Sequence, residues 1–301
     1  MSRLKIIGKE QSADGTTKYL WLLSDGNRIE NNIFPSPNRN ALAEIIPGFH
    51  WGIDISSQIG CNVRCAFCAT GLQPVKRNLT AEEIYDQVIL IKKDQPDLDF
   101  NFVIFAAMGE PLLNYENVIA SARKMEGLGI ETLSLSTSGV VPNIYRLANE
   151  DLDFVLHVSI HSSEHEMRSL LVPMNRTHPL EEVIRAARYY SEQKGSTVIT
   201  NYLVFPGLND TVEDANRLAK LLDADHFHVQ LYLWNPIQGM NLPRATIEQA
   251  ETFSKLLKDR GIGSHVFPSK GVDVNAGCGQ LVTERSREPV SIFGELPTLN
   301  S

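Results

Sequence analysis

Long apolar runs are missing from this sequence: no stretch approaches the roughly 18 residues that a membrane span requires. The first residues, Met1-Ser2-Arg3-Leu4-Lys5, carry no apolar signal-peptide core, so a cytoplasmic chain without a membrane partner is expected. Positive charge is in deficit. Lys and Arg number 28 against 36 Asp and Glu, a net charge of −8, so no global basic field attracts nucleic acid. The basic residues of Arg3-Leu4-Lys5 and Lys76-Arg77 are too sparse for a nucleic-acid patch and read as solvated charges. Short-period repeats and low-complexity segments are absent. Cysteine is scarce: four residues in 301, too few and too clustered for a disulfide framework, which points to a reducing compartment.

What cysteine there is, is concentrated. Cys61, Cys65 and Cys68 fall within eight residues, Cys61-Asn62-Val63-Arg64-Cys65-Ala66-Phe67-Cys68, as C-x₃-C-x₂-C. Soft thiolates this close together suit iron–sulfur clusters or zinc. A 4Fe-4S cluster normally takes four cysteines, so three leave one iron open to another ligand. A structural zinc would need a fourth ligand from a distant His or Cys.

Around this triplet the pattern is α/β. Thr17–Leu23 and Arg28–Phe34 flank an Asp25-Gly26 turn and read as a β-hairpin. The apolar run Trp51–Ser57 leads to the cysteines. Strands are expected at Phe102–Ala107, Thr132–Ser136, Phe154–Ile160, Val198–Phe205 and His228–Trp234. Helices alternate with them: Thr80–Lys93, Tyr115–Glu126, one from about Pro142, Leu180–Lys194, one near Thr211–Leu222, and Thr246–Lys258. The first and last open on capping boxes, Thr80 with Glu83 and Thr246 with Gln249. Six strand–helix units predict an open, partial (β/α)₆ TIM-type barrel over residues 51–285. An N-terminal β-hairpin extension and linker (1–50) precede it, and a loosely ordered tail (286–301) follows.

Ligands of parallel α/β sheets bind at the carboxyl ends of the strands. Met108-Gly109-Glu110-Pro111, Ser136-Thr137-Ser138-Gly139, Ser159-Ile160-His161-Ser162 and Trp234-Asn235-Pro236 all fall there. Gly109 permits close backbone approach, Glu110 can accept from an amino group, and the short hydroxyls suit a ribose or carboxylate. Histidines at strand ends mostly touch solvent and do nothing, and His157, His226 and His228 read that way. His161 is set apart by its neighbours.

These segments, in order, resemble the RlmN/Cfr family of class A radical S-adenosylmethionine (SAM) methyltransferases, which modify adenine in ribosomal RNA and, for some members, transfer RNA. The resemblance also includes Ser56-Ser57-Gln58-Ile59-Gly60-Cys61, Leu171-Val172-Pro173-Met174-Asn175, Gly207-Leu208-Asn209-Asp210 and Gly277-Cys278-Gly279-Gln280-Leu281, and runs from about Asp14 to Leu281. It implies that Cys61, Cys65 and Cys68 ligate a 4Fe-4S cluster whose open iron chelates SAM. It implies that Gly109, Glu110, Ser136, Ser159, Ile160, His161 and Asn235 hold SAM. Cys278 would carry a methyl group taken from one SAM, and a radical made from a second SAM would activate that group for addition to adenine. Glu30 matches a carboxylate proposed to accept a proton; a solvated hairpin charge is the plainer alternative. An electron donor such as a flavodoxin or ferredoxin, and RNA, are the implied partners.

Three departures stand out. The family's second catalytic cysteine, seven residues before the first cluster ligand, resolves the enzyme–substrate adduct; here that position is Asp54. The family's N-terminal helical RNA-binding domain has no counterpart, and its basic stretch is reduced to Phe267-Pro268-Ser269-Lys270-Gly271. Asp54 then serves as acid, base or substrate anchor, or simply caps a strand edge or pairs with a Lys or Arg. Two other functional readings follow: a radical SAM enzyme with an altered reaction or a small-molecule substrate, and a non-catalytic protein that binds SAM or the cluster.

Overall fold

The computed structural model describes residues 3–36, 48–238, 240–277 and 279–281; Cys278 and the tail 286–301 lie outside the described residues. Ten strands form one sheet in chain order: β1 Leu4–Gln11, β2 Thr17–Leu23, β3 Arg28–Pro35, β4 Trp51–Ile55, β5 Phe100–Phe105, β6 Thr132–Thr137, β7 Val155–Ser159, β8 Val198–Val204, β9 Phe227–Leu233 and β10 Ser264–Phe267. β1 to β4 pair antiparallel, and every pairing from β4 to β10 is parallel. β1 and β10 are the two edges, so the sheet is an open barrel.

Helices α1 (Ala81–Asp94), α2 (Tyr115–Lys124), α3 (Val141–Ala148), α4 (His165–Leu171), α5 (Leu180–Lys194), α6 (Val212–Leu221) and α7 (Ile247–Lys258) occupy the crossovers. The expected capping boxes form at Thr80 and Thr246, and a third forms at Thr211, whose hydroxyl accepts from Asp214 N–H. The six expected parallel strands are present. Two strands of this sheet were not foreseen, nor was the separate two-stranded pairing of Gln58–Ile59 with Arg77–Asn78. β1 carries exposed charges along most of its length, and β10 is four residues long behind Gly261 and Gly263. Helix α4, seven residues, also escapes a pattern that needs two turns to register. The N-terminal hairpin is therefore a three-stranded meander, joined edge to edge with the parallel strands.

Alternation along the strands divides the residues between two faces. Ile53, Ile55, Val103, Phe105, Leu135, Leu156, Val158 and Tyr202 point outward against Ile84, Val88, Val118, Ile144, Val183 and Ala187 of the helices. At roughly 1.5–3 kcal/mol for each fully buried large side chain, this layer is the main source of stability. The inner face is apolar only at its lower end, where Phe34, Phe49, Phe102, Ile104, Val155, Ile199 and Phe267 cluster and Phe49 stacks on Phe102 at 4.6 Å. Towards the strands' carboxyl ends it turns polar: Asp54, Ser136, His157, Asn201 and Gln230 line a cavity of about 280 Å³. The open side is bridged by the turn before β2. Ser12 Oγ donates to Asp273 Oδ1 at 2.5 Å, and Gly271 N–H donates to Asp14 Oδ2 at 2.8 Å. Among the described residues no helix is long and apolar enough to cross a membrane.

Candidate active site

The cysteine loop folds across the carboxyl ends of the strands and is held by its apolar residues. Val63 and Phe67 pack with Leu171, Val172, Leu203, Phe205 and Trp234. Trp234 Nε1–H donates to the Phe67 carbonyl at 3.0 Å, and Ala66 N–H to the Leu171 carbonyl at 2.9 Å. All three thiols line the cavity. Burial raises the pKa of each: Cys61 is pushed up to about 12, and Cys65 well above its usual value by burial and then by the neighbouring Cys61 and Cys68.

Sequence reasoning missed Arg168, whose only signal was its place three residues before Leu171-Val172-Pro173-Met174-Asn175. On α4 it is fully buried. Its guanidinium donates to the carbonyls of Ser138 (2.9 Å), Ser159 (3.0 Å) and Ile160 (3.2 Å) and to Asn175 Oδ1 (2.7 Å). Burial pulls its pKa down to about 10, against an attraction from Cys65. Among the described residues no group of three or more His, Cys, Asp or Glu is arranged to hold a metal ion. A cluster spreads its ligands over separate irons, deprotonates them and is anionic with three thiolates, so this donor set beside a buried cation fits one.

The strand ends facing the loop form one hydrogen-bonded block. Gly109 has φ +102°, and a Cβ there would sit 2.6 Å from Gln58 Cβ, so only glycine fits. Gln58 Oε1 accepts from Glu110 N–H at 2.9 Å. The buried Glu110 carboxylate takes four donors: Leu112 N–H (3.0 Å) and Thr137 Oγ1 (2.7 Å) on Oε1, Ser138 N–H and Ser138 Oγ (both 2.8 Å) on Oε2. Burial raises its pKa despite those donors. Glu110 thus ties two strand ends together. His161 sits at φ +55°, edge-on to Phe67 at 4.6 Å, with Nδ1 accepting from Leu203 N–H at 3.0 Å. Burial, then Arg168, brings its pKa down to about 3, so the ring is neutral. Gly109, Glu110, Ser136, Ser159, His161 and Asn235 all line the cavity; Ile160 does not, its side chain being wholly within the core.

Of the remaining candidates, Asp54 lines the cavity and Glu30 does not. Asp54 Oδ1 accepts from Ala106 N–H at 3.1 Å, and Ala107 N–H and the Asn32 side chain donate to the same carboxyl. It thereby caps the free end of β5, with no Lys or Arg in its hydrogen-bond set. Burial pushes its pKa up to about 8. Glu30 is not a solvated hairpin charge: it is 7% exposed, 3.7 Å from the ammonium of buried Lys18. His157 is not solvent-touching either, being 3% exposed in the cavity wall. Cys278 lies outside the described residues, but its neighbours Gly277 and Gly279 border the same cavity. Gly279 accepts from Ala69 N–H at 2.7 Å, and Leu281 from Thr70 Oγ1 at 2.6 Å, which pins this segment to the cysteine loop.

An open parallel barrel with a three-cysteine loop over its carboxyl ends defines the radical SAM superfamily, whose profile matches residues 55–222. The "Probable dual-specificity RNA methyltransferase RlmN" of Thermotoga maritima is 38% identical over 292 residues, covering 95% of this chain and 81% of that protein. A radical SAM methyltransferase from Sphaerobacter thermophilus superposes with a TM-score of 0.86 at 36% identity, over 94% of this chain and 82% of that one. SAM-bound SuiB of Streptococcus suis, at 14% identity and TM-score 0.52 over 72% and 51% of the two chains, shares the fold. This chain belongs to the RlmN family of radical SAM methyltransferases. Its cofactors are a 4Fe-4S cluster and SAM.

Proposed function

We propose that this enzyme methylates adenine in RNA, with Cys278 as the carrier of the transferred carbon. One observation carries this reading: the three cysteines, the polar strand ends and both neighbours of Cys278 border a single cavity. When bound, the cluster and SAM supply reductive cleavage of SAM to a carbon radical. The chain's own residues then have separable tasks. Cys61, Cys65 and Cys68 hold the cluster. Gly109, Glu110, Ser136, Ser159, His161 and Asn235, with the backbone of Ile160, position SAM. The Phe67–Trp234 packing keeps water from beneath the loop. Asp54, rather than Glu30, is the carboxyl group that faces the substrate, and an acid of pKa about 8 is matched to proton transfer near neutral pH.

A separate groove of about 380 Å³, lined by Arg64, Cys65, Ala66, Gly71, Leu72 and Pro74, opens behind the cysteine loop. It supports electron delivery there by a flavodoxin or ferredoxin in a reducing cytoplasm. The family membership favours methyl transfer over the altered-reaction and non-catalytic readings.

The test is product analysis. Protein loaded anaerobically with iron and sulfide, given SAM, a reductant and an adenine-containing RNA, should yield 5′-deoxyadenosine and, at up to one equivalent per chain, adenine that carries the transferred carbon, free or still bonded to Cys278. Peptide mass analysis should find one methyl on Cys278. Cys278→Ala should give no methyladenine. 5′-Deoxyadenosine from the wild type with no methyl on RNA or on Cys278 would overturn the proposal.

A further inference from the structure

Beside the strand ends proposed to position SAM, the cavity wall holds two buried acceptors with nothing to accept from among the described residues. His157 on β7 is 3% exposed and Gln230 on β9 is 2% exposed, and both line the cavity. His157 Nε2 and Gln230 Oε1 have no hydrogen-bond partner among the described residues. In each side chain the other polar atom is engaged. His157 Nδ1 lies 3.4 Å from Asn201 Oδ1, while Asn201 Nδ2 donates to Ser136 Oγ at 3.3 Å. This chain of bonds places the imidazole proton on Nδ1 and leaves the Nε2 lone pair free. Gln230 Nε2 donates to Tyr232 Oη at 2.5 Å, which turns its carbonyl oxygen the other way. Burial holds the His157 ring neutral, with a pKa near 4, so Nε2 stays an acceptor at physiological pH.

Buried polar atoms are nearly always satisfied, and such orphans call for a ligand or water. Here the surroundings favour a flat ligand. Phe34, Phe49, Phe102 and Phe267 line the same cavity, an aromatic wall of the kind on which bases stack. Two acceptors against an aromatic wall match an aromatic ring bearing an amino group, whose two N–H bonds need two acceptors. His157 is in register with Ser136, and Gln230 with Asn201, itself in register with Ser159, so both acceptors stand on the inner wall beside the proposed SAM-positioning residues. Ala276 and Gly277, on the approach to Cys278, border the same space.

Resting on the proposed methylation of adenine, we propose that His157 and Gln230 form the recognition site for the exocyclic amino group of the substrate adenine. The neutral ring nitrogen and the carboxamide oxygen each take one N–H. Guanine and hypoxanthine, which present a carbonyl at that position, place an acceptor against two acceptors and are rejected.

SAM carries the same amino group on its own adenine, so the test must separate the two sources. Cluster-loaded protein is titrated calorimetrically with SAM and, with SAM saturating, with adenosine and with purine riboside, which lacks the amino group. The wild type should bind adenosine roughly 10- to 100-fold more tightly than purine riboside. Gln230→Met and His157→Phe should bring that ratio near one and leave the SAM affinity unchanged. A wild-type ratio near one overturns the proposal without recourse to any variant. Unchanged discrimination in folded, iron-retaining variants also overturns it. A fall in SAM affinity matching the fall in adenosine affinity assigns the acceptors to the cofactor and overturns it likewise. Amino-group discrimination that depends on both residues, without methylation of RNA, would leave this site standing and remove the RNA reading. Carbon transfer to RNA at an undiminished single-turnover rate in both variants would do the reverse.

Discussion

Arg168 Nη1 and Asn175 Oδ1 lie 2.7 Å apart, both residues fully buried, in a part of the barrel with no carboxylate in the guanidinium's hydrogen-bond set. The other guanidinium donors go to backbone carbonyls at the ends of β6 and β7, where we propose that SAM is held. One side chain thus fixes two strand ends and supplies a positive charge beside Cys65.

Replacing Arg168 with Met takes its donors from the carbonyls of Ser138 and Ser159 and from the Asn175 amide oxygen, while the Ile160 carbonyl keeps Ser162 N–H. Breaking a buried charged network of this kind costs about 3–5 kcal/mol. The expected result is a matching fall in unfolding free energy by denaturant titration, together with a lower iron and sulfide content after reconstitution. Arg168→Lys, which keeps the charge and reaches fewer acceptors, should retain more iron than Arg168→Met. Equal iron retention in Met and Lys variants would show that the charge is irrelevant to the cluster.

Glu110 accepts at all four of its lone-pair sites, two of them from the N–H and hydroxyl of Ser138. In Glu110→Gln the carboxamide nitrogen must face one pair of those donors, which loses two hydrogen bonds and creates a donor–donor contact. Removal of bonds to a charged acceptor costs about 1.5–3 kcal/mol. SAM affinity measured by calorimetry should fall by roughly 10-fold or more as the two strand ends separate. An unchanged SAM affinity would mean that the block is rigid without Glu110.

The parallel strands, the capped helices and the cysteine loop were legible because their signals are local: alternation, caps and spacing lie within a few residues. β1 and β10 were not, since an edge strand with exposed charges and a four-residue strand carry almost no pattern of their own. Most candidate residues met in one cavity because they share strand ends. Glu30 did not, because its position on β3 turns it toward Lys18. Arg168 and His157 were illegible for one reason: their importance comes from burial. A guanidinium buried by a short helix, or an imidazole on an inner strand face, is indistinguishable in sequence from a solvated one.

Asp54 has a pKa near 8 in the folded chain against an ordinary carboxyl value of 3.8 when unfolded. Between those values the folded state holds a proton that the unfolded state has lost, so stability is fully present below about pH 4 and declines as pH rises through 8. Each pKa unit is about 1.4 kcal/mol, which sets a ceiling near 6 kcal/mol that water entering the cavity reduces. Asp54→Asn removes this dependence. In thermal unfolding of anaerobic, cluster-loaded protein, the variant should gain on the wild type as pH rises from 6 to 8.5. A stability difference independent of pH would place the wild-type carboxylate in an ionised state throughout.

Asp54 also stands where the family's resolving cysteine would be, and the geometry keeps it from taking over that role. Resolution of a Cys278–adenine adduct needs a thiolate that attacks the Cys278 sulfur, forms a disulfide and expels the methylated base as the carbon–sulfur bond breaks. A carboxylate cannot make that bond, and Asp54 is already bracketed by Ala106, Ala107 and Asn32. The other three cysteines are the proposed cluster ligands. Wild-type enzyme given RNA, SAM and reductant should therefore stop at no more than one covalent Cys278–RNA adduct per chain, seen as a protein–RNA species by denaturing gel and mass analysis. Asp54→Cys places a thiol in the wall of the same cavity and should release methyladenine beyond one equivalent, on the order of tenfold more than wild type when a thiol reductant returns the disulfide to two thiols. Multiple turnovers by the wild type would show instead that another group breaks the adduct. Asp54 would then be the cap of β5 and nothing more.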